Sequence, residues 1–276
     1  MKLSKKFNKQ FTAKYGPWAL VTGATSGIGR AIAEQLAQSG LHVVLSGRKK
    51  ETLLAFSDYL EATYGIITEV VIADISSTPE VYRLVEEIKH IPIGLFVASA
   101  GFGTSGLFQD ASLEREIAML KVNSLALMML THYFARLFAE QNKGGIILMS
   151  SIVGFQGTPN SAHYAATTAY VQSLGEGLYH ELKPYGVDVL AAAPGPVKTA
   201  FGEKANLKMS NALSPQELVP PIFKALGKKH TVFPGTLTKV LIAGLRTVPR
   251  WGKIRIMKMV MGGMTAHQKT NKISIS

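Results

Sequence analysis

Short apolar runs alternate with longer segments whose apolar residues recur every three or four positions. WALVTG (18–23), HVVLSG (42–47), ITEVVIA (67–73), GLFVASA (94–100), GGIILMS (144–150), VDVLAAA (187–193) and HTVFPG (230–235) read as strands. Between them the helical period prevails: in IGRAIAEQLAQSG, Ile28, Ile32 and Leu36 fall at i, i+4 and i+8. Strand, helix, strand in repetition predicts one α/β domain, a doubly wound and mainly parallel sheet of about seven strands with right-handed crossovers on both faces.

The 276 residues carry no internal repeat and no low-complexity linker. The pattern divides the chain into a basic N-terminal extension (1–18), the α/β domain (19–235) and a basic, apolar C-terminal tail (236–276). With no cysteine in the chain, no disulfide is possible. The first residues, MKLSKKFNKQFTAKYG, lack the apolar core of a secretory signal, so the expected location is cytoplasmic. Apolar stretches such as SLALMML and VLIAGL fall short of the roughly 20 residues a bilayer requires, and no spanning helix is expected.

Charge sharpens this division. The net charge of +12 resides in the ends: residues 1–18 hold five lysines and 236–276 hold eight Lys or Arg, neither with an acid, which leaves the body near −1. Such ends suit an anionic membrane surface (peripheral contact), an acidic carrier protein or a phosphate-bearing substrate, or serve solubility alone. No nucleic-acid module accompanies the charge, so no nucleic-acid partner is expected.

The first strand leads into TGATSGIG, Thr22 to Gly29, a sequence with chemistry in it. Gly23, Gly27 and Gly29 permit a tight turn, close backbone approach to a pyrophosphate and close packing of the following helix, whose N-terminus attracts the anion. Thr22, Thr25, Ser26 and Ile28 fill the turn. After the second strand stand Arg48 and Lys49, with no acid before Glu51. An acid there would hold a ribose 2′-hydroxyl, whereas arginine suits a 2′-phosphate, so NADP(H) is preferred over NAD(H).

These motifs resemble the short-chain dehydrogenase/reductase family, a Rossmann-like fold, over about Ala19 to Pro234. The resemblance implies that Asp74, with Ile75 beside it, contacts adenine. It places Ser99, Ala100 and Gly101 where the family has Asn-Asn-Ala-Gly. It assigns Asn123, Ser151 and Tyr164 to the catalytic set, Ser151 preceding Tyr164 by 13 residues. APGPVKT contributes Pro194, Gly195, Val197 and Thr199 to the nicotinamide side. In the family, tyrosine passes a proton to the carbonyl oxygen as hydride arrives, and serine hydrogen-bonds that oxygen. A lysine one helical turn beyond tyrosine binds the nicotinamide ribose and lowers the phenol's pKa.

The residue aligned with that lysine is Thr168. Without the cation the phenol is expected near its ordinary pKa of about 10, which favours carbonyl reduction over oxidation. Lys198 is geometrically able to replace the charge; His163, adjacent to Tyr164, points about 100° away on the helix. The remaining histidines show no metal-ligand spacing, and no metal is expected. Two functions follow: an NADP(H)-dependent reductase of an apolar carbonyl, ketoacyl or steroid-like, or a cofactor-binding protein of this fold that has lost its chemistry and acts through binding or assembly.

Substrate selection is expected between Thr199 and Ser214, through Phe201, Leu207 and Met209, with Phe102, Leu107 and Phe108 near the mouth. In the tail, Leu241, Leu245 and Val248 are expected on one helical face and Ile254, Met257, Lys258 and Met261 on another, suiting an interfacial helix, a substrate entrance or a subunit contact. The resemblance also implies a homodimer or homotetramer formed through the helices carrying Asn123 and Tyr164.

Overall fold

The computed structural model describes residues 3–209 and 212–268. Each predicted strand is present within one or two residues at its start: β1 (Trp18–Thr22), β2 (His42–Gly47), β3 (Thr68–Ile72), β4 (Ile93–Ala98), β5 (Gly144–Met149) and β6 (Val187–Ala192), with β7 (Thr231–Val232) reduced to two residues. They form one sheet in the order β3-β2-β1-β4-β5-β6-β7, every neighbouring pair parallel. Parallel strands cannot be joined by tight turns, so helices cross between them and cover both faces. The central strands are accordingly apolar on both sides; all six residues of β4 are buried.

One face is packed by α2 (Gly27–Gln38), α3 (Lys50–Tyr64) and α9 (Pro215–Ala225), with Ile32, Leu36, Phe56 and Phe223 in that core. The helix α1 (Lys5–Tyr15) joins them. Phe7, Phe11 and Tyr15 recur at i, i+4 and i+8, and Phe11 stacks on Phe223 with ring centroids 4.8 Å apart. The phenol of Tyr15 donates to the carboxylate of Asp188 at 2.5 Å, and Lys14 pairs with the same carboxylate. The basic N-terminal segment is thus a packed helix from Lys5 onward; residues 1 and 2 lie outside the described residues.

The opposite face carries α4 (Thr78–Ile88), the helix formed by α5 (Leu113–Leu120), a π-helical segment (Lys121–Ala126) and α6 (Leu127–Gln141), and then α7 (Ala162–Leu182). The run Leu113–Gln141 is one helix of 29 residues with mean hydropathy 1.3 over its most apolar stretch. By length and composition it is long and apolar enough to cross a bilayer, which corrects the expectation drawn from shorter runs. Polar residues such as Thr131 and His132 interrupt the run, but the helix averages over them. Half of that stretch is buried inside the domain, where Phe134 stacks on Phe96 of β4 at 4.6 Å. After α8 (Ala200–Lys204), α9 and β7 come α10 (Thr236–Arg246) and α11 (Arg250–Met264).

Candidate functional site

The strand order reverses between β1 and β4, and at their C-terminal ends lies a cleft of about 560 Å³. Its floor is the turn from β1 into α2. Gly23 has φ +71°, and a Cβ there would stand 2.7 Å from the Cα of Ala100. A Cβ on Gly29 would stand 2.4 Å from the carbonyl oxygen of Gly23. The turn therefore tolerates no side chain at either position, and the N-terminus of α2 faces the cleft bare, since Ser26 makes no side-chain cap. The buried hydroxyl of Ser46 also lines the cleft without a partner among the described residues. A glycine cradle, an open helix N-terminus and an unmet hydroxyl fit a dinucleotide.

Every residue expected at the cofactor lines this cleft except Lys49. Lys49 precedes α3 as its exposed N-cap; Lys50, one position on, lines a shallow recess with Arg48, Asp74 and Arg83. Arg48 lies 3.8 Å from Asp74, whose carboxylate also accepts from the backbone of Ser76 at 3.1 Å. Thr22 ties strands together, its hydroxyl accepting from the backbone of Ser99 and Ala100 at 3.2 and 3.3 Å and so joining β1 to the end of β4.

Asn123, Ser151, Tyr164 and Thr168 all meet the same cleft. Ser151 follows β5, and its hydroxyl accepts from Val153 at 3.4 Å. Asn123 sits in the π-helical segment, a distortion that turns its side chain toward the end of β4. Its amide donates to the carbonyl of Phe102 at 2.8 Å and to Thr167 at 3.2 Å, and its carbonyl accepts from the Phe102 backbone at 3.1 Å. Burial pushes the Tyr164 phenol up to about 12, against a smaller downward pull from its hydrogen bond with Ser151. This corrects the expectation of an ordinary phenol, which counted the missing cation and left out desolvation.

The Thr168 hydroxyl is spent on its own helix, donating to the carbonyls of Tyr164 and Ala165. Lys198, the residue able to replace the charge by its place in the sequence, does not line the cleft, and His163 points elsewhere, as its helical position predicts. Lys198 is exposed, and the His163 ring meets the buried carboxylate of Glu116 at 2.7 Å. Among the described residues, the Arg and Lys side chains lining the cleft are Arg48, Arg115 and Lys204, all exposed.

The wall facing Tyr164 is apolar. Phe201, Leu207 and Met209 line it as expected, and the Phe201 ring lies 5.2 Å from that of Tyr164. Ser210 and Asn211 lie outside the described residues. Phe102 also lines the cleft, whereas Leu107 and Phe108 are exposed and do not; Phe108 sets its ring edge against His163.

The tail, for which the sequence allows an interfacial helix, a substrate entrance or a subunit contact, packs on this wall. Met257, Met261 and Met264 of α11, at i, i+4 and i+7, line the cleft. Lys258 turns to solvent and does not share their face. Val248 falls beyond the end of α10, while Leu241 is exposed. Beyond α11, Thr265 accepts from Asn160 at 3.2 Å, and Gln268 donates to Ser105 at 2.9 Å and to the carbonyl of Asn206 at 2.7 Å. The tail is thereby tied to the loops at the cleft mouth; residues 269–276 lie outside the described residues.

Residues 17–210 match the family described as short chain dehydrogenase. The chain is 32% identical over 233 residues to a 7beta-hydroxysteroid dehydrogenase of Collinsella aerofaciens, covering 82% of this chain and 89% of that protein. It is 32% identical over 196 residues to the human inactive hydroxysteroid dehydrogenase-like protein 1, covering 70% of this chain and 59% of that protein. Among solved structures, a short-chain dehydrogenase from Sphingobium yanoikuyae in complex with NADPH superposes with a TM-score of 0.76 at 27% identity, covering 84% of this chain and 94% of that one.

Proposed function

The chain belongs to the short chain dehydrogenase family, and from that premise we propose that it is an NADP(H)-dependent reductase of a carbonyl on an apolar, steroid-like or ketoacyl substrate. The observation that carries this reading is the placement of Tyr164 and Ser151 across one cleft from an apolar wall built by Phe201 and the α11 methionines. When bound, the nicotinamide cofactor supplies hydride. The Ser151 hydroxyl donates to the substrate's carbonyl oxygen, and the Tyr164 phenol gives that oxygen its proton as negative charge develops. A phenol near pKa 12 is fully protonated at neutral pH, ready as an acid and poor as a base. Asn123 holds the Phe102 backbone and so fixes the loop beside the reacting atoms. The apolar wall excludes water and accepts a bulky hydrocarbon frame, the substrate class named for the 7beta-hydroxysteroid relatives.

Preference for NADP(H) is supported by Arg48 and Lys50 beside the end of β2, with no acid on that strand's end. Assembly as a homodimer or homotetramer is supported by Leu113, Ile117 and Leu120, exposed along α5.

One observation favours the second reading, a binding protein without turnover: Thr168 brings no charge to the phenol, and its hydroxyl is already bonded. Single-turnover NADPH oxidation with apolar ketones and ketoacyl thioesters separates the two. Turnover lost in Tyr164→Phe establishes the reductase; NADPH binding with no consumption by any of these substrates moves the binding reading ahead.

A further inference from the structure

We propose that the outward faces of α10 and α11 form a docking surface for an anionic lipid bilayer. On α10, Leu237, Val240 and Leu241 make one stripe, and all three are exposed. On α11, Trp251, Ile256 and Met259 are exposed, Met259 at 78%. Among them stand Lys239, Arg246, Arg250, Arg255 and Lys258, all exposed, and no acidic residue follows Glu217 anywhere in the chain. The Arg255 guanidinium lies 5.1 Å from the centre of the Trp251 ring, so cation and aromatic project together. Apolar side chains flanked by cations and free of acids match the boundary between anionic head groups and acyl chains.

Other occupants fit less well. A second copy docking through the same face would set these cations against their own equivalents. An acidic protein would answer the charge but would bury its carboxylates beside the leucine stripe. The inner side of α11 lines the cleft through Met257 and Met261, so a bilayer on the outer side would lie one helix away from the site. Delivery of an apolar substrate by that route rests on the redox reading; the docking does not.

The test is co-sedimentation of the full chain with phosphatidylcholine vesicles, with and without phosphatidylglycerol, and it reads nothing of turnover. The full chain is expected to sediment with the anionic vesicles only, and to be released as salt rises. Lys258→Ala should lower partition about fivefold. Leu241→Asp should abolish it, and Lys143→Ala, far from the face, should leave it unchanged. Thermal melts of the variants verify that each is folded. Absent or equal partition to neutral and anionic vesicles overturns the proposal, as does binding that survives both Lys258→Ala and Leu241→Asp. Concentration-dependent self-association without lipid, lost in Leu241→Asp, assigns the face to a second copy and overturns it equally.

Discussion

The hydroxyl of Thr168 points back along its own helix and donates to the carbonyl of Tyr164, 3.2 Å away. The side chain that follows the phenol by one turn therefore brings it neither charge nor a free donor. Thr168→Lys should restore a cation beside Tyr164 and lower its pKa by about 1–3 units. Alcohol oxidation by the variant should then reach its plateau at a correspondingly lower pH, read from a pH–rate profile with NADP. An unchanged profile would show that the cation does not reach the phenol.

The raised phenol has a consequence for stability. Its pKa is about 12 in the fold against about 10 in the unfolded chain, so the protonated form favours the native state. That contribution is complete below pH about 10 and lost as pH rises toward about 12. Thermal melts across this window should show a steeper alkaline decline for wild type than for Tyr164→Phe.

At the other end of the cleft, Arg48 is the exposed cation nearest Asp74. A guanidinium bonded to a 2′-phosphate contributes about 1.5–3 kcal/mol, so Arg48→Ala should weaken NADPH binding roughly ten- to hundredfold and leave NADH nearly unaffected. Fluorescence titration with both nucleotides measures the ratio. Equal losses for the two would remove the arginine from the 2′ position.

Phe11 shows how far charge misleads. The sequence presents residues 1–18 as a lysine-rich arm, yet Phe7, Phe11 and Tyr15 share one face, and Phe11 is 4% exposed against Phe223. Phe11→Ala should cost about 3–5 kcal/mol, a large drop in melting temperature that a loose arm would not produce.

The sheet was legible because both faces of each central strand are buried, which leaves continuous apolar runs such as the six residues of β4. The glycine turn was legible because Gly23 and Gly29 have no room for a Cβ, a constraint written directly into residue type. What escaped depends on elements distant in sequence. The pKa of Tyr164 follows from desolvation by the assembled cleft. The continuity of Leu113–Gln141 was hidden by polar residues that the helix absorbs. The tail methionines had helical spacing, but spacing alone does not tell a cleft wall from a subunit contact.

Met264 tests that wall most directly. It lines the cleft, is only half-buried, and contributes its backbone carbonyl to Lys208 at 3.0 Å, a bond that truncating the side chain leaves in place. Met264→Ala should therefore fold normally while removing apolar contact from the substrate side. Loss of about 1.5 kcal/mol of burial corresponds to roughly a tenfold fall in kcat/KM for a bulky apolar ketone. A small ketone that does not span the cleft from Tyr164 to α11 should lose almost nothing. The ratio of the two specificity constants isolates the wall from any general effect on cofactor binding or proton transfer, since those would depress both substrates alike. An equal fall for both would mean that α11 supports the site without selecting what enters it.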